Sequence, residues 1–262
     1  MVLKYSHLVS CFLLLLLASC GSIDEEIIID NAGGGSFVMK ADIMESTVEM
    51  SFQMMKGFID DENLNEDSLR EALVDEMWES MPNDIDSTID IMKGLPDSIK
   101  NNPEYLNILN RTEGFMKSNR KKREMEGGIS HKFSNISDLN AFISFLDKQN
   151  DNPTTAKFMK VTKSKSAIIT FAYDGKTFSR TSVPKEGGNS NENSESSKEI
   201  DTAVELMFKD AYYRIRITMP KTIASANGPG LIEVKGKQAF FEYSMSEYMN
   251  AKANTDFEIT LK

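Results

Sequence analysis

Cys11, Cys20, His7 and His131 are the only thiols and imidazoles in the 262 residues, and they bound the chemistry open to the chain. Cys11 and His7 fall inside an apolar N-terminal segment. That leaves Cys20 and His131 too few to build a Cys-based zinc site, an iron–sulfur cluster or a His-dependent triad. His131 alternates with Ile129 and Phe133, which reads as a partly exposed histidine in a strand. Acidic residues are plentiful at 40 Asp+Glu, with clusters at Asp60-Asp61-Glu62 and at Asp84, Asp86 and Asp90. Asp84-x-Asp86 begins like a calcium loop but has neither the central glycine nor the closing glutamate, so helix capping is the better reading. No glycine-rich phosphate loop and no G-x-S-x-G elbow occurs. The expectation is therefore no catalytic residue, no metal and no cofactor. A hydrolase built on two carboxylates stays open, because the fold sets their separation.

Charge narrows the partners. The formal net charge is −10, from 30 Lys+Arg against 40 Asp+Glu, which repels polyphosphates and argues against nucleic acid. Arg120-Lys121-Lys122-Arg123 is the one concentrated basic run. It suits lipid headgroups or an anionic glycan, and read more plainly it is a solvated hairpin tip between two strands. The 16 methionines are adaptable core filler, with a soft cavity for an apolar ligand as the other reading.

The N-terminus carries an address. Lys4 precedes the apolar run Phe12–Leu17, which is too short to span a bilayer, so residues 1–19 read as a secretory signal. Its last residues and the next, Leu17-Ala18-Ser19-Cys20, resemble the lipobox of bacterial lipoproteins. The resemblance implies that Cys20 becomes the first residue, carries diacylglycerol and is N-acylated. Membrane attachment through Cys20 follows, and two or more acyl chains make a stable anchor. Gly21 in place of Asp favours the outer membrane, on its periplasmic or its cell-surface face. Asp24-Glu25-Glu26 is similar to the acidic export signals of some surface lipoproteins, or else is a solvated acidic tether. With Cys11 removed and Cys20 acylated, no disulfide is expected.

Three segments follow: the signal at 1–19, the lipidated cysteine and a flexible acidic, glycine-containing tether at 20–35, and one domain at 36–262. Within the domain, alternation at Phe37, Met39, Ala41 and Ile43, and again at Val48, Met50, Phe52 and Met54, predicts a β-hairpin turning at 45–47. Leu69, Leu73, Met77 and Trp78 share a helical face after an Asp67-Ser68 cap, and short helical pieces follow from Ile85 to Leu109. Thr112 to Phe133 turns extended, with a bulge or turn at Gly127-Gly128. A helix opens at Ser137-Asp138-Leu139 and buries Phe142 and Phe145. Ala167–Tyr173 and Lys176–Val183 flank Asp174-Gly175, a type I′ turn pair. Residues 186–197 have no apolar side chain and read as a flexible loop, and Ile200 to Phe208 as an amphipathic helix. Tyr213, Ile215, Ile217 and Met219 begin a β-rich end. Strands arrive as hairpins, so the expected class is α+β: an antiparallel sheet with several helices packed on it, in a single main domain.

Asp67-Ser68-Leu69, Asp86-Ser87-Thr88, Asp97-Ser98-Ile99 and Asp201-Thr202-Ala203 match an O-glycosylation acceptor used in some Gram-negative envelopes, and capping explains them equally well. Tyr213–Lys221, Ala226-Asn227-Gly228 and Val234-Lys235-Gly236-Lys237 are similar to a pattern in uncharacterised outer-membrane lipoproteins, and more distantly to the LppM-type lipoprotein domain, an α+β module thought to contact lipids. That resemblance implies an anchored α+β domain and no site residue. The expected function is binding or scaffolding in the envelope, with an envelope protein, glycan or lipid as partner. A carrier of a lipid or other apolar ligand and the two-carboxylate hydrolase are the alternatives.

Overall fold

In a computed structural model of the protein, the described residues are 22–56, 65–81, 83–95, 97–150, 167–184, 211–249 and 253–262. Cys20, the loop at 186–197 and the amphipathic stretch at 200–208 lie outside them. The first described element corrects the tether: Ile23–Ile29 is a strand, β1, with Ile27 and Ile29 buried. Strand β2 (Gly35–Asp42) returns antiparallel to it. The Asp30–Gly34 loop closes the hairpin, with Asp30 Oδ1 accepting from Ala32 and Gly34 N–H. Ordered structure thus starts well before residue 36.

Two sheets and several helices make the α+β class. The larger sheet runs β10-β11-β8-β1-β2-β5-β4-β3 and the smaller runs β6-β7-β12-β9. The strands are β3 (Asp86–Ile89), β4 (Thr112–Asn119), β5 (Glu124–Phe133), β6 (Ala167–Tyr173), β7 (Thr177–Pro184), β8 (Tyr212–Thr218), β9 (Ile223–Asn227), β10 (Leu231–Lys235), β11 (Gln238–Ser244) and β12 (Phe257–Leu261). The pairing is antiparallel throughout except β1 with β8, which is parallel. The expected single sheet is therefore two, sharing one core.

The second half of the expected first hairpin is instead a helix, α1 (Ile43–Lys56). Met44, Val48 and Phe52 recur every four residues and all are buried. Both periods fit those side chains, and propensity decides: Met, Glu, Gln and Lys favour helix, and 45–47 holds no Gly, Pro or Asn to turn a hairpin. Helix α2 (Glu66–Ser80) packs beside it, with the Arg70 guanidinium 3.8 Å above the Phe52 ring. The cap of α2 is Asn65, whose side chain accepts from Ser68 N–H, and Asp67 sits within the first turn. Asp90 caps the short 3₁₀ turn Ile91–Gly94 through Met92 N–H. Short helices α3 (Asp97–Lys100) and α4 (Pro103–Leu109) lead into β4, whereas Asp86–Ile89 is strand.

Alternate residues of the large sheet divide its faces. Ile27, Ile29, Phe37, Ile129, Phe133, Ile215, Ile217 and Phe241 point inward, against helix α5 (Ile136–Asn150) and the small sheet's Phe178, Phe257 and Ile259. Asn140 of α5 ties the two together by bonding both N–H and C=O of Phe171 on β6. The α1/α2 pair covers one end of the same face, around Met44, Val48, Trp78 and Met125. Gly128 is inside β5, not at a turn, because a Cβ there would fall 2.3 Å from Met39 O and 2.7 Å from the Phe115 ring. The β6–β7 connection differs from type I′. Only Gly175 has positive φ, and Asp174 Oδ1 accepts from Lys176 and Thr177 N–H. Helix α6 (Met245–Met249) follows β11.

The outward face of β1 explains its acidic residues. Asp24 and Glu26 stand in register with Arg214 and Arg216 of β8, with ion pairs at 3.9 and 3.8 Å, and Arg214 also meets Glu242 at 3.0 Å. Because β1 lies between β8 and β2, a chain beginning at Ser36 is expected to lose cooperative thermal unfolding, while one beginning at Ser22 keeps it. Circular dichroism melts of the two chains test this; matching transitions would make β1 dispensable.

Candidate binding site

The basic run forms the tip of the β4–β5 hairpin, as its plainer reading expected. Asn119 and Glu124 are the last paired residues, and Arg120–Arg123 make the turn. Arg123 takes a left-handed φ of 56°, and the Arg120 N–H is held by Asp84 Oδ1 at 2.8 Å. Helix α2 lies alongside and presents Asp75, Trp78 and Glu79, whose spacing puts them on one face. Asp75 grips Arg123 at 2.5 Å. Between helix and tip lies a cleft of about 320 Å³ lined by Asp75, Trp78, Glu79, Arg120 and Arg123.

Two buried atoms at this cleft have no hydrogen-bond partner among the described residues: Trp78 Nε1 and Arg120 Nη1. Indole and guanidinium donate and cannot accept. The unmet chemistry of the cleft is thus donation, and what would satisfy it is an oxygen acceptor such as a phosphate, carboxylate or hydroxyl group. Asp75 and Glu79 stand on one wall, four residues apart on the same helix. They do not flank a bond from opposite sides as paired hydrolytic carboxylates must. The sequence marked the arginines; it assigned Trp78 to a core face and gave no role to Asp75 or Glu79.

His131 is fully buried, not partly exposed. Its ring stacks on Phe142 at 4.1 Å, and Nδ1 lies 2.8 Å from Thr112 Oγ1. The Thr112 hydroxyl donates its only proton to Ile108 O, so Nδ1 must carry the hydrogen it shares with Thr112. Nε2 is left bare, without a hydrogen-bond partner among the described residues. Burial, with the Arg111 charge adding and Asp138 opposing, pulls the His131 pKa down to about 4. This is a core histidine, and among the described residues no group of metal-ligating side chains surrounds it.

A second polar group, missed in the sequence, sits between the sheets. Glu25 points inward from β1 and Arg180 inward from β7, and both are almost fully buried. Arg180 Nη1 lies 3.6 Å from Glu25 Oε1. Tyr213 donates its hydroxyl to Glu25 Oε2 and accepts from Arg180 Nη2 at 3.4 Å. Tyr248 stacks on Tyr213 at 3.9 Å. Burial pushes the Tyr213 phenol well above its usual range and the Tyr243 phenol to about 12. Burial also opposes the Arg180 charge, but Tyr213 and Glu25 outweigh it and the pKa rises. Glu25 Oε1, Arg180 Nε and Nη1 and Tyr243 Oη have no hydrogen-bond partner among the described residues, so the cluster is held more by charge than by complete bonding.

No family model matches the chain, and no curated protein matches it. Among solved structures, the NMR structure of the folded domain of LppM from Mycobacterium tuberculosis is similar, with a TM-score of 0.37 and 8% identity over 94% of this chain and 91% of that one. A likeness at that level does not define a shared fold.

Two outcomes follow. The folded pKa of His131, about 4, lies below the ordinary 6.5, so the unfolded chain takes up a proton that the native chain refuses. Stability from this residue is complete above pH 6.5 and falls toward pH 4 by about 1.4 kcal/mol per pH unit, roughly 3 kcal/mol in all. Urea melts of the native chain and His131→Gln across that range should differ by this slope, and parallel curves would refute the buried neutral histidine. In the second, Arg180→Met alone should cost about 3–5 kcal/mol by stranding Glu25, and adding Glu25→Leu should restore much of it. Additive losses would show the two charges to be uncoupled.

Proposed function

We propose that the chain is a lipid-anchored protein of the outer membrane, held through Cys20, that works by binding or scaffolding and not by catalysis. The observation that carries this reading is the start of the fold. Ser22 already accepts the Tyr212 N–H through its hydroxyl, and β1 begins at Ile23. Cleavage before Cys20 would remove no residue of the described fold and would leave the acylated residue beside the large sheet.

Binding is favoured over hydrolysis by the cleft at the hairpin tip, whose unsatisfied groups are donors and whose two carboxylates share a wall. It is favoured over transport of an apolar ligand by the same lining, four charged residues and one tryptophan, because apolar carriers need an apolar cavity. The partner class is an envelope glycan, lipid or protein that presents oxygen acceptors.

Cys20→Ala tests the anchor. The native chain should incorporate labelled palmitate and stay with membranes through a high-salt wash, and the variant should do neither. Cys20→Ala protein that carries label and resists the salt wash would remove the proposal.

A further inference from the structure

We infer that the cleft at the β4–β5 tip receives the phosphate of an anionic lipid headgroup in the membrane that carries the anchor. The inference rests on the Cys20 reading for its orientation and on the described residues for its chemistry.

Strand register supplies the orientation. Ile23 is opposite Ala41, and Ala41 is opposite Gly127, so the three lie in one row across β1, β2 and β5. From Gly127 the chain runs back four residues to Arg123, about 13 Å at strand rise. From Ile23 it runs back three residues to Cys20, a reach of about 10 Å. Ser22 and Arg123 leave the sheet at the same end, because β4 runs toward the tip and β5 away from it, just as β2 runs toward the start of β1 and β1 away from it. Two strand spacings, about 10 Å, separate β5 from β1. An acyl chain on Cys20 would therefore bring Arg120–Arg123 to the bilayer surface.

Chemistry supplies the ligand. Lys121 and Lys122 are exposed at the apex. Among the described residues Arg120 has no carboxylate within ion-pair distance, its Nη1 is unbonded, and the Trp78 Nε1 beside it is also unbonded. Arg123 is neutralised by Asp75, and Lys122 lies 4.0 Å from Glu124. The nearby acids Glu79 and Asp84 further offset the run, so its pull on a membrane is short in range. Such a tip gains little from long-range attraction and most from direct contact with a headgroup. A phosphate group seated in the cleft would offer its oxygens to the Arg120 guanidinium and the Trp78 indole, and both side chains are suited to a headgroup layer.

The chain has one tryptophan, so Trp78 emission reports this cleft alone. The experiment uses the mature chain, residues 20–262, carrying Cys20→Ala, so that its result is independent of acylation. It is mixed with vesicles of phosphatidylcholine, with vesicles that also contain phosphatidylglycerol, and with inorganic phosphate. Binding, and a Trp78 emission change, should appear with the anionic vesicles and not with phosphatidylcholine alone. One basic side chain at an anionic surface is worth about a fivefold factor in partitioning. Lys121→Ala/Lys122→Ala should weaken partitioning by about 25-fold, and Arg120→Gln should abolish the Trp78 change while weakening binding about fivefold. Equal binding to both vesicles, binding to neither, or variants that bind like the native chain would overturn the inference. So would a Trp78 response to inorganic phosphate without vesicle binding, which would make the cleft a site for free phosphate. A failed palmitate label with intact vesicle binding would instead remove only the anchor.

Discussion

Seven residues, Ile23–Ile29, hold the large sheet together. On one side lie β10, β11 and β8, all from the C-terminal part of the chain; on the other lie β2, β5, β4 and β3 from its first half. β1 bonds in parallel to β8 and antiparallel to β2, and among the described strands no other joins the two parts of this sheet. Its side chains serve three ends by simple alternation. Ile27 and Ile29 enter the core, Asp24 and Glu26 meet the arginines of β8, and Glu25 crosses to the small sheet. Everything that depends on the relative placement of the two halves depends on this strand.

Glu25 adds a constraint of a different kind. Apolar packing between two sheets is tolerant of sliding, since one methyl group replaces another at little cost. A buried carboxylate facing a buried guanidinium is not, because displacement strands two charges. The Glu25–Arg180–Tyr213 group thus fixes how β1, β7 and β8 meet, at the cost of several unbonded polar atoms. Its incomplete bonding fits a locating contact better than a source of net stability.

The hairpin tip inherits its position from the same strand. Once β1 is placed, the row Ile23–Ala41–Gly127 puts the start of β1 and the β4–β5 tip at the same end of the sheet. The α1/α2 pair then closes one side of the tip and turns Trp78 toward Arg120. The cleft is made of parts that are unremarkable alone: a helix face, a turn and a left-handed arginine. What distinguishes it is that its buried unbonded atoms all donate.

The sequence determined what is local or compositional. The α+β class, the burial of Tyr213, Ile215, Ile217 and Met219, the strands around Asp174-Gly175, the helix that buries Phe142 and the hairpin-tip place of Arg120–Arg123 rest on short-range periodicity, on turn residues or on amino-acid counts. Tertiary structure decided what depends on a distant partner. Ile23–Ile29 reads as a tether because three of its residues are acidic, and their partners, Arg180 of β7 and Arg214 and Arg216 of β8, come from more than one hundred and fifty residues away. Residues 43–56 satisfy two periods, and packing against α2 selects the helix. His131 is buried because Phe142 and Thr112 cover it, and Trp78 becomes a cleft residue because the tip folds over it. Periodicity reports which side of an element is apolar, not what that side will meet, and these outcomes were set by what it met.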